Sequence, residues 1–142
     1  MKGSESGCYD ATRSSLGKSR QPVAKVCIYV CTACNNNAAV SDGERTAGER
    51  LLQNLALKCS EFPEIRILPV DCLAVCNKCI TIAFQSAGKW SYTIGNIDPE
   101  NDVDDIIAVG RAILASEHGV LAMNERPGFF RKGVISRLPP AQ

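Results

Sequence analysis

The sequence predicts an α/β fold with a four-stranded mixed sheet, and three observations carry this prediction. Two short β-branched runs, AKVCIYV and IRILPV, flank a segment with helical periodicity. Two further strand-like runs, ITIAFQS and AGKWSYTIG, meet at Ala87 and Gly88, which suit a hairpin turn. A second segment with helical periodicity follows them. The predicted element order is therefore β-α-β-β-β-α.

Size and charge narrow the class of protein. The chain has 142 residues, which suits one domain with its own hydrophobic core. Its formal net charge is +1, so neither a nucleic-acid partner nor a membrane surface is predicted. The apolar runs in the sequence are far shorter than the roughly 20 residues that cross a bilayer.

Residues 1–22 are polar and rich in Ser and Gly, so we predict a disordered arm there and a single domain over residues 23–142. The arm lacks the apolar core of a secretory signal, which predicts a cytoplasmic protein. Structural disulfides are rare in that compartment. Eight cysteines in such a chain therefore indicate metal binding or redox chemistry. They are Cys8, Cys27, Cys31, Cys34, Cys59, Cys72, Cys76 and Cys79.

The first half of the predicted domain is a strand, a polar loop and an amphipathic helix. The strand, residues 24–30, ends in the loop CTACNNNA. Ser41 and Glu44 then fit a capping box, so the helix is expected to begin beside them. The apolar face of the helix assigns Cys59 to the core. That face consists of Ala47, Leu51, Leu52, Leu55 and Cys59.

The second helix is predicted between residues 98 and 119. Asp98 or Asp102 is expected to cap its start, and Gly119 suits its end. The remaining residues, 120–142, contain several prolines and basic side chains. We predict that they form an ordered but mostly irregular tail.

This element order is the outline of a thioredoxin-like fold. Strands that flank a helix are expected to be parallel neighbours joined by a right-handed crossover, with helices covering the faces of the sheet. Cys31 and Cys34 follow the first strand, and Cys72 and Cys76 follow the second. Because parallel neighbours end at the same edge of a sheet, these four thiolates are predicted to converge.

The residues leave two ligand sets open. Cys31-x2-Cys34 with Cys76-x2-Cys79 has the paired spacing of structural zinc sites, although neither pair carries the glycines common in zinc knuckles. The first pair with Cys72-x3-Cys76 gives four thiolates that suit a [2Fe–2S] cluster. Cys79 also opens a strand-like run, where it would be a small core residue.

The segment VDCLAVCNKCITIAFQSAGKWSYTIG resembles the second cysteine loop and hairpin of thioredoxin-like [2Fe–2S] ferredoxins. CLAVC and GKWSYTIG carry this resemblance, and IYVCTAC looks like the first cysteine loop of those proteins. That group includes the small cluster-bearing subunit of bacterial NADH dehydrogenase. Residues 26–139 also resemble an uncharacterised bacterial family of predicted metal-binding proteins, through GKWSY, ERP and GVISRLPP.

The ferredoxin resemblance implies an electron carrier, not an enzyme, whose [2Fe–2S] cluster is bound by Cys31, Cys34, Cys72 and Cys76. It also implies a homodimer paired through its sheets. The chain departs from the pattern in two ways. Only two residues separate Cys31 from Cys34, and Cys79 is an additional cysteine and an alternate ligand.

Two other functions compete with the electron carrier. A zinc-binding or metal-handling protein without redox chemistry would use Cys31 and Cys34 with the pair Cys76 and Cys79. A thiol–disulfide oxidoreductase would use Cys31-x-x-Cys34, but NNNAAVS separates this pair from the helix, and Cys72 and Cys76 are left unexplained. The single histidine, His118, is expected at the surface near a helix end.

An electron carrier requires a redox partner protein, and its docking is expected to be electrostatic. Two charged groups are candidate docking faces, although acids also suit a helix N-terminus and the basic residues also suit a solvated tail. The acidic group is Asp98, Glu100, Asp102, Asp104 and Asp105, and the basic group is Arg126, Arg131, Lys132 and Arg137.

Overall fold

The computed structural model describes residues 26–33 and 45–141, apart from the side chain of Cys76. The predicted disordered arm, with Cys8, lies outside the described residues, and so does Cys34.

The described chain forms five strands and three α-helices. They are β1 (Val26–Cys31), α1 (Ala47–Cys59), β2 (Ile65–Val70), β3 (Ile82–Gln85), β4 (Ser91–Ile94), α2 (Val103–Ala115), α3 (Gly128–Gly133) and β5 (Val134–Leu138). Two 3-10 turns, Cys76–Lys78 and Met123–Glu125, lie in the connections.

The sheet is mixed, as predicted, and its strand order is β2-β1-β3-β4-β5. β1 and β2 are parallel, with Val26 opposite Ile65 and Cys31 opposite Val70. β3 is antiparallel to β1 and forms a hairpin with β4, whose Tyr92 lies opposite Phe84. The predicted parallel pairing of β1 and β2 on either side of α1 in the chain and the predicted hairpin are both confirmed.

The prediction of four strands and an irregular tail is wrong, because the tail contributes α3 and a fifth strand. Phe130 of α3 is buried and packs edge-on against Tyr92, with ring centroids 4.9 Å apart. This contact brings β5 alongside β4, whose free edge offers unpaired backbone groups. The side chains of β5 are mostly exposed, so the strand has no apolar alternation that a sequence pattern would reveal.

Both long helices lie on one face of the sheet, which corrects the expectation that helices cover both faces. α1 and α2 pack against each other and against β1 and β2. The core lies between these helices and the inward residues of the strands, among them Ile28, Ile67 and Phe84. On the opposite face Cys27 and Tyr29 are half-buried.

α1 begins later than the sequence predicted. Its N-cap is Thr46, whose hydroxyl oxygen accepts a hydrogen bond from the Glu49 N–H at 3.0 Å. The Glu49 carboxylate accepts from the Thr46 N–H at 2.8 Å and completes a capping box. The same Ser/Thr-x-x-Glu pattern occurs at Ser41 and Glu44, outside the described residues, and the assignment of the cap to that pair is wrong.

α2 is closed at its C-terminal end by the β3–β4 hairpin. The ammonium of Lys89 donates to the carbonyl oxygens of Ile113, Leu114 and Ser116 at 2.7–2.9 Å. The hydroxyl of Tyr92 donates to the Gly119 carbonyl at 2.6 Å. The Lys89 bonds add a donor to carbonyls at the end of the helix, where few donors are available, and the Tyr92 bond fixes the turn that follows. In the described residues no helix has the length and apolar character needed to cross a membrane.

Candidate metal centre

The two predicted cysteine loops leave the sheet side by side. The Thr32 N–H donates to the Val70 carbonyl at 2.9 Å, and the Ala33 N–H donates to the Asp71 carbonyl at 3.3 Å. These bonds extend the β1–β2 pairing beyond the strands, into residues 71–79, the second cysteine loop. We call the edge of the sheet where β1 and β2 end and β3 begins the cysteine edge.

Cys31 lies at the end of β1 and is only 2% exposed. Its sulfur is directed towards the second cysteine loop, where the Sγ–H donates to the Asp71 carbonyl at 3.7 Å. Asp71 directly precedes Cys72. The parallel pairing therefore brings the first predicted ligand against the backbone that carries the third, as the sequence argument expected.

Cys72 is exposed and its sulfur already has a backbone donor. The Ala74 N–H donates to Cys72 Sγ at 3.1 Å. Ala74 adopts a left-handed backbone conformation, with φ of 69°, and this conformation turns its N–H towards the sulfur. Hydrogen bonds from N–H groups stabilise thiolate ligands and adjust the potential of the clusters they hold. The sequence argument missed Ala74, because glycine is the residue normally expected at such a position.

The remaining predicted ligands are only partly described. Cys76 begins the 3-10 turn Cys76–Lys78, but its side chain and the whole of Cys34 lie outside the described residues. Cys79 follows that turn and is half-buried against the core. Within the described residues no three His, Cys, Asp or Glu side chains form a group that could hold a metal ion. Cys31, Cys72 and Cys79 therefore do not form a three-ligand site by themselves.

Thr81 anchors the second cysteine loop, a role that the sequence did not reveal. It is a buried polar residue, and its hydroxyl lies 3.5 Å from the Val75 carbonyl and 3.4 Å from the Lys78 carbonyl. Its own carbonyl accepts from the Cys31 N–H at 3.1 Å. Thr81 thus connects both cysteine loops to the start of β3.

The first turn of α1 lies directly behind Cys31. A Cβ on Gly48 would collide with the carbonyl oxygen of Cys31, so only glycine permits this approach. The Thr46 hydroxyl also donates to the Thr32 carbonyl at 2.5 Å. The positive end of the α1 dipole therefore faces the cysteine edge and favours negative charge there.

A family model described as "Protein of unknown function (DUF1636)" matches residues 28–140 of the chain. The chain belongs to this family. No curated protein sequence matches it.

One solved structure with a TM-score above 0.5 shows which fold this DUF1636 chain adopts. A thioredoxin-like [2Fe–2S] ferredoxin from Aquifex aeolicus is similar to it, with a TM-score of 0.51 and 19% identity over 83% of this chain and 97% of the ferredoxin. A structure of the wild-type ferredoxin has a TM-score of 0.47 and 18% identity, covering 79% of this chain and 97% of the other. The fold of the DUF1636 chain is thioredoxin-like, as its element order predicted.

Two further cysteines of this DUF1636 chain lie away from the cysteine edge. Cys59 is completely buried in the core at the end of α1, as predicted. Cys27 is half-buried on the face of the sheet opposite the helices. Burial raises the pKa of the Cys27 thiol, and the nearby Arg66 offsets part of this rise. His118 is exposed near the end of α2, where its Nε2 lies 3.9 Å from the Glu117 carboxylate and its carbonyl accepts from the Trp90 N–H at 2.9 Å.

Most carboxylates of the acidic group at the start of α2 already have partners within the protein. The Asp98 carboxylate accepts from the N–H groups of Glu100 and Asn101 at 2.9 and 3.0 Å, and these bonds lower its pKa. Arg50 of α1 pairs with Glu100 at 3.4 Å. Lys58 pairs with Asp104 at 3.2 Å. These contacts account for most of the group without a docking role.

The basic group divides into two pairs. Arg126 donates to the Leu121 carbonyl at 3.0 Å and lies over the Phe130 ring, and Arg137 lies 4.7 Å from the centre of the Trp90 ring. Arg131 and Lys132 are exposed in the last turn of α3.

Proposed function

We propose that the protein is an electron carrier that holds one [2Fe–2S] cluster with four cysteines from two loops. Cys31 and Cys34 belong to the first loop, and Cys72 and Cys76 to the second. The observation that supports this most strongly is the contact between the loops, in which Cys31 Sγ lies 3.7 Å from the backbone of the residue before Cys72. Two ligands from each loop would then surround one position at the cysteine edge.

The chemistry of the donor set fits this group. A [2Fe–2S] cluster takes up and releases one electron, and four thiolates are its usual ligands. The chain contributes a buried sulfur at Cys31, an exposed one at Cys72 and a backbone N–H from Ala74 directed at Cys72 Sγ. The positive end of α1 offsets the negative charge that four thiolates bring.

The fold supports the same function. The similar structure from Aquifex aeolicus is described as a thioredoxin-like [2Fe–2S] ferredoxin, and its fold extends over 83% of this chain. The resemblance of the CLAVC loop and the following hairpin to such ferredoxins is independent of that structural likeness, because it rests on residues.

The test is a visible absorption spectrum of protein purified without oxygen, together with iron and zinc analysis. A red-brown protein with about two irons per chain, bleached by dithionite, is the expected result. A colourless protein with one zinc would instead support a structural or metal-handling site, with Cys76 and Cys79 as one ligand pair.

Cysteine substitutions test the ligand set. Cys72→Ala and Cys31→Ala should remove the colour, because each deletes a thiolate ligand. Cys27→Ala is the matched control and should keep the full absorbance, since Cys27 lies on the opposite face of the sheet. If Cys72→Ala kept its colour and Cys79→Ala lost it, the proposed ligand set would be wrong, and Cys79 would be a ligand in place of Cys72.

A further inference from the structure

Three positively charged side chains at the cysteine edge are exposed and do not pack in the core. Lys78 belongs to the second cysteine loop, and Arg131 and Lys132 lie in the last turn of α3. All three side chains are exposed. Over residues 26–33 and 45–141, none of them forms an ion pair. Val134, which follows α3, is an apolar side chain that is 41% exposed beside them.

Close backbone contacts bring the two segments together. The Asn96 N–H donates to the Lys78 carbonyl at 2.7 Å, and the Gly95 N–H donates to the Gly133 carbonyl at 2.9 Å. A Cβ on Gly95 would lie 2.7 Å from the Lys78 carbonyl oxygen, and a Cβ on Gly133 would collide with the Gly95 carbonyl oxygen. The segments that carry the cations are therefore packed on either side of one glycine.

The position of these cations relates them to the cysteines. β5 begins opposite the end of β4, and β4 ends opposite the start of β3. The last turn of α3 therefore lies at the same edge of the sheet as Cys31 and Cys72. Lys78 directly precedes Cys79 in the chain. A partner bound to these cations would lie next to the proposed cluster.

From this arrangement we infer that Lys78, Arg131, Lys132 and Val134 form the docking surface for an acidic protein that carries one electron. The inference rests on the proposed electron-carrier function. One electron passes between the cysteine site and the docked carrier, so that one is oxidised as the other is reduced, and no proton or bond is exchanged.

A protein fits this surface better than nucleic acid does. DNA-binding proteins commonly neutralise about 6–10 phosphates, which three cations cannot match. An exposed apolar residue among charges is typical of protein interfaces, where an apolar centre is surrounded by a polar rim. Complementary charge would also accelerate the encounter of two carriers.

The test compares two double variants that change the net charge equally. Arg131→Glu/Lys132→Glu alters the proposed surface. Lys58→Glu/Arg66→Glu is the matched control, because Lys58 ends α1 and Arg66 lies near the start of β2, at the opposite edge of the sheet. The absorption spectrum of each is recorded first. The dithionite-reduced proteins are then oxidised by ferricyanide, an anion, or hexaamminecobalt(III), a cation, in a stopped-flow instrument at low salt. Binding of a ten-residue polyglutamate peptide is followed by NMR.

The expected result is that Arg131→Glu/Lys132→Glu lowers the ferricyanide rate about tenfold, raises the hexaamminecobalt rate and loses peptide binding. The control variant should keep the peptide binding, and its two oxidation rates should change much less than those of Arg131→Glu/Lys132→Glu. Equal effects of the two variants would refute the docking surface, and so would a DNA duplex that binds more tightly than the peptide. A colourless protein would refute the electron-carrier function separately, and the peptide titration would still decide whether the surface binds acidic chains.

Discussion

Ala74 has a backbone conformation that residues other than glycine rarely adopt, with φ of 69°. This conformation directs the Ala74 N–H to the sulfur of Cys72, where it donates a hydrogen bond at 3.1 Å. A residue with no side-chain chemistry of its own thus belongs to the proposed site through its backbone alone.

Substitutions at Ala74 test the N–H donor together with the backbone conformation that directs it. Ala74→Pro removes the N–H and imposes a negative φ, so we expect it to lower cluster content and accelerate iron loss. Ala74→Gly is the control, since glycine keeps the donor and tolerates positive φ, and it should raise the free energy of unfolding by up to about 1 kcal/mol. Iron per chain and urea unfolding measure both effects. If Ala74→Pro kept its full iron content, the Ala74 N–H would have no role in the proposed site.

Asp98 alone should make part of the free energy of unfolding depend on pH. Hydrogen bonds from the N–H groups of Asn101 and Glu100 lower its pKa in the folded chain. Its stabilising effect is therefore complete above the unfolded pKa of about 3.9 and is lost as the pH falls through the folded value.

We expect Asp98→Ala to reduce the free energy of unfolding at pH 7, and the difference from the unmodified protein to shrink under acid conditions. Thermal unfolding from pH 7 to pH 2.5 measures this difference. Glu61→Ala is the control, because the exposed Glu61 carboxylate makes no hydrogen bond or ion pair among the described residues, and it should show a small difference at every pH. A constant deficit for Asp98→Ala would contradict the role of the charge.

At the scale of elements, two glycines of the helices have opposite surroundings. A Cβ on Gly48 of α1 would collide with the Cys31 carbonyl oxygen. A Cβ on Gly110 of α2 would meet Ile28 and Ile65 at 3.6 Å, which is ordinary van der Waals contact. The first glycine is needed for the helix to approach the cysteine edge, whereas the second is not needed for packing.

Alanine at each position should therefore have effects of opposite sign. Gly48→Ala is expected to lower the free energy of unfolding by about 2 kcal/mol and to reduce cluster loading, because the helix must move away from Cys31. Gly110→Ala should raise the free energy of unfolding by about 0.5–1 kcal/mol through helix propensity, without changing the colour. Urea unfolding and absorbance measure both. A Gly48→Ala protein as stable as Gly110→Ala would disprove the close approach.

The elements also show what the sequence could and could not predict. The four strands with apolar residues and the two long helices were predictable, because each buries one periodic face. β5 was not, since its pairing with β4 depends on backbone groups and on the distant packing of Phe130 against Tyr92. The Thr46 cap was missed because two equivalent capping patterns lie five residues apart in the sequence. The convergence of the loops was predictable from parallel pairing, whereas the conformation of Ala74 follows from the loop as a whole.

At the scale of the molecule, most of the core lies apart from the proposed site, and Cys31 is the proposed ligand that belongs to both. The completely buried side chains, such as Leu51, Ile106 and Phe84, lie between the helices and the sheet, and the second cysteine loop is largely exposed. We therefore expect the core to fold without the proposed cluster, in contrast to small zinc domains, which need their metal to fold.

Removal of the proposed cluster should leave a folded protein. After treatment with a chelator under oxidising conditions, we expect an unchanged helical circular dichroism signal and a cooperative transition at a lower Tm, because ligand binding adds to the stability of the native state alone. The Cys72→Ala variant is the matched reference and should unfold like the treated protein. Loss of helical signal on metal removal would show that the site is required for folding.

The hairpin turn at Ala87 and Gly88 lies at the end of the sheet opposite the cysteine edge, and both residues are exposed. A cysteine-free linker attached at Ala87 would thus anchor the molecule to an electrode with the proposed cluster facing the solution. A linker attached at α3 would instead place the proposed cluster against the electrode. The point of attachment would therefore decide whether electrons pass from the protein to a diffusing partner or directly to the electrode.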